Sequence, residues 1–422
     1  MKSEKFAAAF TNYELCIINY ELLCIFAFEM NQATIDFIHK HAEADVRQLA
    51  LQGTKNPEVD LAFALDQIAG RQKAKTKLPT WAAIDGIIYP PHLSMEQCSS
   101  EQTARYKASL AGKGALMVDL TAGFGVDMAF MSQGFQKAVY VEQQAPLCAI
   151  SSENFKLLGL NHIEVVCADG IEYLHQLNHA DLIFLDPARR DDHGARTYGI
   201  ADCTPNVLEL RDELLQKADH IIIKLSPMLD WRKAVEDLGN VNEVHIVSVD
   251  NECKELLLIL SKEEKPLKLF CANNDQVFEG DQGNWLNDSS AAEIRVPVPL
   301  ISQAYLFEPN ASIMKAGCFT LLEQRFKVSQ LDKNSHLFVS DSDISDFPGR
   351  RFSIEKTTSM NKRELKAALA GIDKANITVR NFPLSVAELR KRLKLKEGGD
   401  LYLFATTIAG HQHQLFLCRK IE

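Results

Sequence analysis

The sequence predicts a Rossmann-like α/β fold, preceded by a helical N-terminal domain and followed by small α+β modules. Three observations carry this expectation. Between residues 96 and 262 the short apolar runs MVDL, VYVE, IEVVCAD, LIFLD and IIIKLS alternate with helix-like stretches. Runs of that kind read as strands buried on both faces of a parallel sheet. One of them continues into DLTAGFGVD at 119–127, a strand that ends in a glycine turn opening a helix. The last two candidates, 243–249 and 254–260, are joined only by a turn, so the sheet closes with an antiparallel pair.

Composition sets the outer bounds. A chain of 422 residues exceeds one domain of about 150 residues, so several units are expected. With 46% hydrophobic and 24% charged residues, collagen-like, coiled-coil and largely disordered classes are excluded. The net charge of -10 argues against a generally basic nucleic-acid coat protein. The greasiest stretch, 15–28, is broken by Asn19 and Glu21 and falls short of the roughly 18 residues of a membrane span, so no membrane partner is expected. Ten cysteines form no CxxC, which leaves no zinc or iron–sulfur spacing, and no metal is expected. No signal peptide is read in the sequence, so reduced thiols and a cytoplasmic location are expected.

Taken in order, the chain opens with a tandem, NYELCII at 12–18 followed by NYELLCI at 19–25. It reads as a short amphipathic helix or, by preference, as a spurious extension (1–29) upstream of a start at Met30. Residues 30–95 follow as a helical domain, with Ile35, Ile38, Val46 and Leu49, then Leu61, Ala64 and Ile68, at helical spacing around a break at Gly53 and Pro57. The α/β domain spans 96–262. Its helices are expected to begin near Val126, Ala145, Gly170, Thr204 and Met228, with Thr204 as an N-cap and Pro205 at the first helical position. A small α+β module occupies 263–348. The closing module, 349–422, is basic: 350–396 holds 13 Lys/Arg against 4 Asp/Glu, a local balance of +9. Its end, DLYLFATTI then LFLCRK, reads as a hairpin.

The glycine turn carries the sharpest chemistry. Gly123 and Gly125 let backbone approach a ligand, and the next strand ends in Glu142, 23 residues after Asp119, where a ribose-binding carboxylate belongs. A dinucleotide fingerprint also needs glycine at 128, where Met128 stands, so a ligand with ribose but no phosphates fits better. The order Asp119-Thr121-Gly123-Gly125, Glu142, then Asp169 in CADG, then LIFLDPARR at 182–190 resembles the class I S-adenosylmethionine (SAM) methyltransferases. The resemblance implies a SAM site made by these residues. It also implies a transfer centre at Asp186, Pro187 and Arg189. Lys224, Ser226 and Pro227 end the fifth strand at the carboxyl edge of the sheet, where such folds bind ligands, so Lys224 is expected to face the substrate or to serve the structure there.

Methyltransferases acting on exocyclic amines of bases commonly carry Asp/Asn-Pro-Pro-aromatic, with the ring stacking on a flipped base. Here the run is Asp186-Pro187-Ala188-Arg189, so the acid and first proline are kept and the ring is replaced. Arg189 is expected to stack on a base, to hold a phosphate, or to pair with Asp191 and Asp192 in an exposed loop.

Beyond the core, QCSSEQTARYKA at 97–108, KLSPMLD at 224–230, NECKELLL at 251–258, VPVPLISQAYLFEPNASIMKAG at 296–317, NFPLS and LRKRLKLKEGGD are similar to one bacterial family. Its members join a class I methyltransferase to a ferredoxin-like module and a C-terminal THUMP-like module. The resemblance implies RNA as partner, through the basic 350–396 region, and methylation of an exocyclic or ring nitrogen of a base. A small-molecule or protein methyltransferase and a non-catalytic SAM-sensing RNA-binding protein are the rival readings. Ser99 and Tyr106 are expected to close over the site or to pack a helix. Cys253 reads as a structural thiol, and His411 and His413 as solvated side chains in a turn.

Overall fold

The computed structural model describes residues 31–189, 199–263, 265–281, 304–408 and 412–421. The tandem at 12–25, residues 190–192, the run 296–303 and His411 lie outside the described residues. The chain divides into two compact units, Met1–Asn242 with Leu256–Lys265, and Glu243–Glu255 with Pro266–Glu422.

The first unit begins with helices Gln32–Lys40, Val46–Gln52, Leu61–Lys77, His92–Gln97 and Glu101–Ala111. Four of them start on a side-chain cap, Asn31, Asp45, Asp60 and Ser100, each accepting a backbone N–H of the first turn. The break read at Gly53 is a helix end, where this residue takes φ 67°. The strands then follow as β1 (Gly114–Asp119), β2 (Phe135–Glu142), β3 (Ile163–Cys167), β4 (Ala180–Leu185), the short β5 (Ala188–Arg189) and β6 (Cys203–Thr204), β7 (Ala218–Leu225), β8 (Val241–Val249) and β9 (Glu252–Leu260). In this unit the order is β9-β7-β4-β1-β2-β3, parallel except where residues 256–260 of β9 run antiparallel to β7. This is the Rossmann-like sheet with the antiparallel ending that the sequence predicts.

The later part of the helical segment shares a core with the sheet layer. Leu78, Trp81, Tyr89 and Met95 are buried in one cluster with Met117, Phe124 and Phe184 of the sheet layer. The connecting IIYPP strip is pinned by two buried amides. Asn154 accepts from Ile88 N and donates to Ile88 O at 2.9 and 2.8 Å, while Gln67 does the same for Tyr89 at 2.8 and 2.8 Å. Each amide satisfies a backbone pair that would otherwise be buried without partners.

Glu101 ties the same layer together, accepting from Thr80 N (2.9 Å) and Thr80 Oγ1 (2.7 Å) and pairing with Arg105 (2.6 Å). Burial alone pushes its carboxyl up, but Thr80 and Arg105 together hold it below the ordinary value. A depressed carboxylate contributes stability above its unfolded pKa, about 4.3, and loses it as pH falls through the lower folded value. Glu101→Gln is therefore expected to cost stability at pH 7, and the difference from wild type to vanish in acid. Urea denaturation from pH 7 to 3 checks this; a gap that persists in acid would mean that packing, not charge, is at stake.

Two helix starts differ from expectation. The fourth helix is Val207–Lys217, capped by Asn206, whose side chain accepts from Leu208 N (3.2 Å). Thr204 instead lies in β6 and is joined to Pro205 by a cis peptide, so it is not the N-cap. The fifth helix is Trp231–Leu238 rather than one from Met228, because Asp230 caps it.

In the second unit, β8 and β9 are joined by Asp250 and Asn251, both at positive φ (51° and 62°), the backbone of a tight two-residue hairpin turn. Strand β10 (Lys268–Asn273) lies parallel to β8, and β11 (Gln276–Asp281) antiparallel to β10. The C-terminal strands are β12 (Tyr305–Pro309), β13 (Ser329–Gln330), β14 (Phe338–Ser340), β15 (Gly349–Ser359), β16 (Asn376–Arg380), β17 (Leu401–Ile408) and β18 (Gln412–Ile421). They form one sheet in the order β13-β14-β12-β15-β18-β17-β16. The expected closing hairpin is the antiparallel pair β17–β18.

Its alternate residues feed two cores, Phe404 and Phe416 with Leu306 and Phe352, and Leu403 and Leu415 with Leu365 and Leu389. The expected turn at 411–413 is corrected at one residue: His413 is in β18, beside Thr407 Oγ1 (3.2 Å), and packs edge-on against Phe382. Strand pairing runs on to Gln412 because Ile408 still has a partner there.

Candidate active site

Strand β1 has β2 on one side and β4 on the other, both parallel to it. Chain direction across the sheet reverses at such a point, and a crevice opens at the carboxyl ends of the strands. Asp119 ends β1, Glu142 ends β2, Asp186 follows β4 and Lys224 lies near the end of β7. The topology therefore gathers four residues that are 105 positions apart at the extremes.

The loop after β1 is held from several sides. Glu142 Oε2 accepts from Gly123 N (3.0 Å), and its Oε1 accepts from Gln144 N (2.9 Å). The Tyr140 hydroxyl donates to Gly123 O, and Ser151 Oγ donates to Phe124 O (3.2 Å). Burial pushes the Tyr140 hydroxyl well above its usual value, so it stays a neutral donor. Trp81 packs edge-on against Phe124, ring centroids 5.2 Å apart. Gly125 takes φ 79°, and a Cβ there would lie 2.7 Å from Phe155. At Gly123 (φ 55°) a Cβ would meet nothing within 4 Å, so the loop faces open space at that point.

Electrostatics at the site are dominated by carboxylates. Asp119 is 1% exposed and accepts from Thr121 N (3.0 Å). Burial raises its pKa well above the ordinary value; the Thr121 N–H pulls it back, and the charges of Asp127, Asp186 and Glu142 add to the rise. Asp186 N donates to Thr121 Oγ1 (2.6 Å), and its carboxylate is ion-paired to Lys224. Lys224 is the more buried member, its side chain 13% exposed against 38% for Asp186. Pro187 is buried. Asp169 caps the helix Gly170–Gln176, accepting from Ile171 N (2.8 Å) and Glu172 N (3.2 Å), and is exposed.

Arg189 lies in β5, and its side chain is outside the described residues. Ser226 accepts from Met228 N (3.3 Å) in the turn after β7. Tyr106 is half-buried on helix Glu101–Ala111. Cys253 is in the second unit, and burial pushes its thiol up, the opposite of an activated nucleophile. Among the described residues no group of three or more His, Cys, Asp and Glu converges as a metal site. No described helix is long and apolar enough to cross a membrane.

Sequence reasoning missed Trp81, Tyr140, Ser151 and the buried Lys107. For Lys107 a signal existed, a lysine on the stripe Thr103, Ala104, Lys107, Ala111, all buried at helical spacing.

A solved structure from Porphyromonas gingivalis W83, described as a "putative methyltransferase", is 32% identical, covering 92% of this chain and 98% of that one with a TM-score of 0.81. The chain belongs to that family. It is a class I SAM-dependent methyltransferase family with ferredoxin-like and C-terminal THUMP-like modules. Within this methyltransferase, residues 305–348 match a ferredoxin-like domain family and residues 349–420 a THUMP domain-like family.

An rRNA methylase from Streptococcus thermophilus is 17% identical over 38% of this chain and 95% of its own, with a TM-score of 0.29. A SAM-dependent methyltransferase from Agrobacterium tumefaciens is 16% identical over 39% and 61%, with a TM-score of 0.30. At that distance neither bears on function. No curated protein matches the chain.

Proposed function

We propose that the protein transfers a methyl group from SAM to a nitrogen of an RNA base, with the crevice at the carboxyl ends of β1, β2, β4 and β7 as its active site. The observation that carries this reading is the Asp186–Lys224 pair fastened to the glycine loop through Thr121. It ties an acid suited to an amine to a loop suited to a nucleoside.

The residues fit such a cofactor. Glu142 spends one acceptor position on each oxygen within the loop, and a carboxylate offers about four, so it retains capacity for ribose hydroxyls. Asp119 and Gly123 line the same turn, and Asp169 keeps its second oxygen beyond the two helix-cap bonds made by the first. SAM supplies a methyl group already activated on a sulfonium, so what the chain must add is position and dryness. Asp186 would accept an N–H from the acceptor amine, orient its lone pair, and take up the proton that the nitrogen sheds as the methyl group is transferred and the sulfonium departs as a neutral thioether. Lys224 holds that carboxylate in place through the ion pair, while Thr121 fixes its backbone against the loop.

An RNA acceptor is supported by the basic segment 350–396, where Lys362, Arg363, Lys366, Lys391, Arg392 and Lys394 are exposed. Other cations there have structural duties: Arg350 and Arg380 both pair with the buried Glu308, and Arg351 with Asp343.

The test incubates purified protein with SAM carrying a labelled methyl group and total RNA from cells lacking the gene. Wild type is expected to label RNA, and Asp119→Ala and Asp186→Ala to leave it unlabelled. SAM binding without RNA labelling would move the acceptor to a protein or small molecule; absence of SAM binding would overturn the reading.

A further inference from the structure

Lys107 is fully buried, on the helix Glu101–Ala111 that precedes β1. Its Nζ lies 3.2 Å from Asp127 Oδ1 without hydrogen-bond alignment, so this contact is ionic. It also donates to Ser99 Oγ (3.2 Å), and Ser99 Oγ donates to Asp127 Oδ2 (2.7 Å). The three groups close a triangle from which water is largely excluded, Ser99 and Asp127 being 7% and 9% exposed. A buried ion pair is weak evidence for stability, because desolvation cancels much of its Coulombic gain; where such pairs persist, fixing one geometry is a role they can fill.

What this pair fixes is next to the site. Asp127 stands in the first turn of helix Val126–Met131, two residues past Gly125, whose N–H donates to Ala122 O (2.8 Å) across the glycine loop. Among the charges acting on Asp119, that of Asp127 raises its carboxyl more than those of Asp186 and Glu142. Removing Lys107 would leave that charge uncompensated and the helix start untethered.

We propose that Lys107 is a positioning residue: acting through Asp127 and Ser99, it fixes the helix start behind the glycine loop and thereby sets affinity for the cofactor. The inference rests on the SAM-dependent reading above. It assigns the helix before the sheet a part in cofactor binding, with no contact to the reacting atoms.

Calorimetric titration of the full chain with SAM, alongside urea denaturation, tests it on wild type, Lys107→Met, Asp127→Asn and the double variant Lys107→Met/Asp127→Leu. Lys107→Met is expected to lose stability and to bind SAM about tenfold more weakly. The double variant replaces the buried pair by apolar side chains, so it should regain stability yet remain about tenfold weak, with kcat at saturating SAM within about threefold of wild type. Affinity that returns together with stability would show a merely structural pair and overturn the proposal. So would a folded Lys107→Met that binds like wild type.

If Lys107→Met does not fold, the double variant and the near-isosteric Asp127→Asn decide the matter on the same criterion. Wild type that binds no SAM would sink the cofactor reading and this inference with it. Wild type that binds SAM alongside variants of equal affinity sinks this inference alone.

Discussion

Asp186→Asn is expected to slow single-turnover methyl transfer by about a hundredfold or more, the range for loss of a positioned acid–base group, with SAM affinity within about threefold. The amide keeps the shape of the side chain and leaves the backbone N–H on Thr121 Oγ1 untouched, so the loop should hold. What is lost is the negative charge facing both the acceptor and Lys224. Lys224→Met should cost less, about tenfold, because Asp186 is partly exposed and water can solvate it in place of the lysine. The double variant separates two explanations. If Asp186 served only to neutralise Lys224, removing both would restore the rate; if it holds the acceptor nitrogen, the double variant stays as slow as Asp186→Asn. Rapid-quench measurement on the RNA identified by labelling reads the outcome.

Gly125→Ala is expected to destabilise the first unit by about 2–5 kcal/mol, the sum of a left-handed backbone and an overpacked contact. Its SAM affinity should fall about a hundredfold, or nearly 3 kcal/mol. The new Cβ would sit 2.7 Å from Phe155, and the ring has little room to yield: it is 2% exposed and packed edge-on against Tyr140. Tyr140 in turn holds Gly123 O, so a displaced Phe155 disturbs the loop twice. Gly123→Ala is the internal control. Its backbone is also left-handed, but its Cβ would meet nothing within 4 Å, so only about 1 kcal/mol of strain is expected. Equal losses for the two alanines, in urea denaturation and SAM titration, would refute the packing argument.

Much of the site's skeleton was readable in the sequence. The glycine turn after an apolar strand located Asp119, Gly123 and Gly125, and the interval to Glu142 reflected one strand–helix–strand unit of ordinary length. Asp169 was readable both as a motif acid and as a helix cap, and its geometry is a cap. Thr204 shows the limit of local reading. Thr-Pro before an apolar run is a sound N-cap pattern, yet Asn206 two residues later takes the role and Thr204 pairs in β6 with Ala188. Both residues satisfy the local rule, and a strand partner distant in sequence selects between them.

The sequence by itself determined the strand–turn–helix units, the order of the acids and a turn between the last two strands of the α/β domain. These depend on side-chain periodicity and backbone freedom within a few residues. Only the tertiary structure decided that Lys224 pairs with Asp186, that Trp81 and Tyr140 brace the glycine loop, and that Lys107 is buried against Asp127. The reason is energetic: a charge or a hydroxyl is placed by the partner that repays its desolvation, and for Tyr140, Lys107 and Lys224 that partner comes from 17 to 38 residues away.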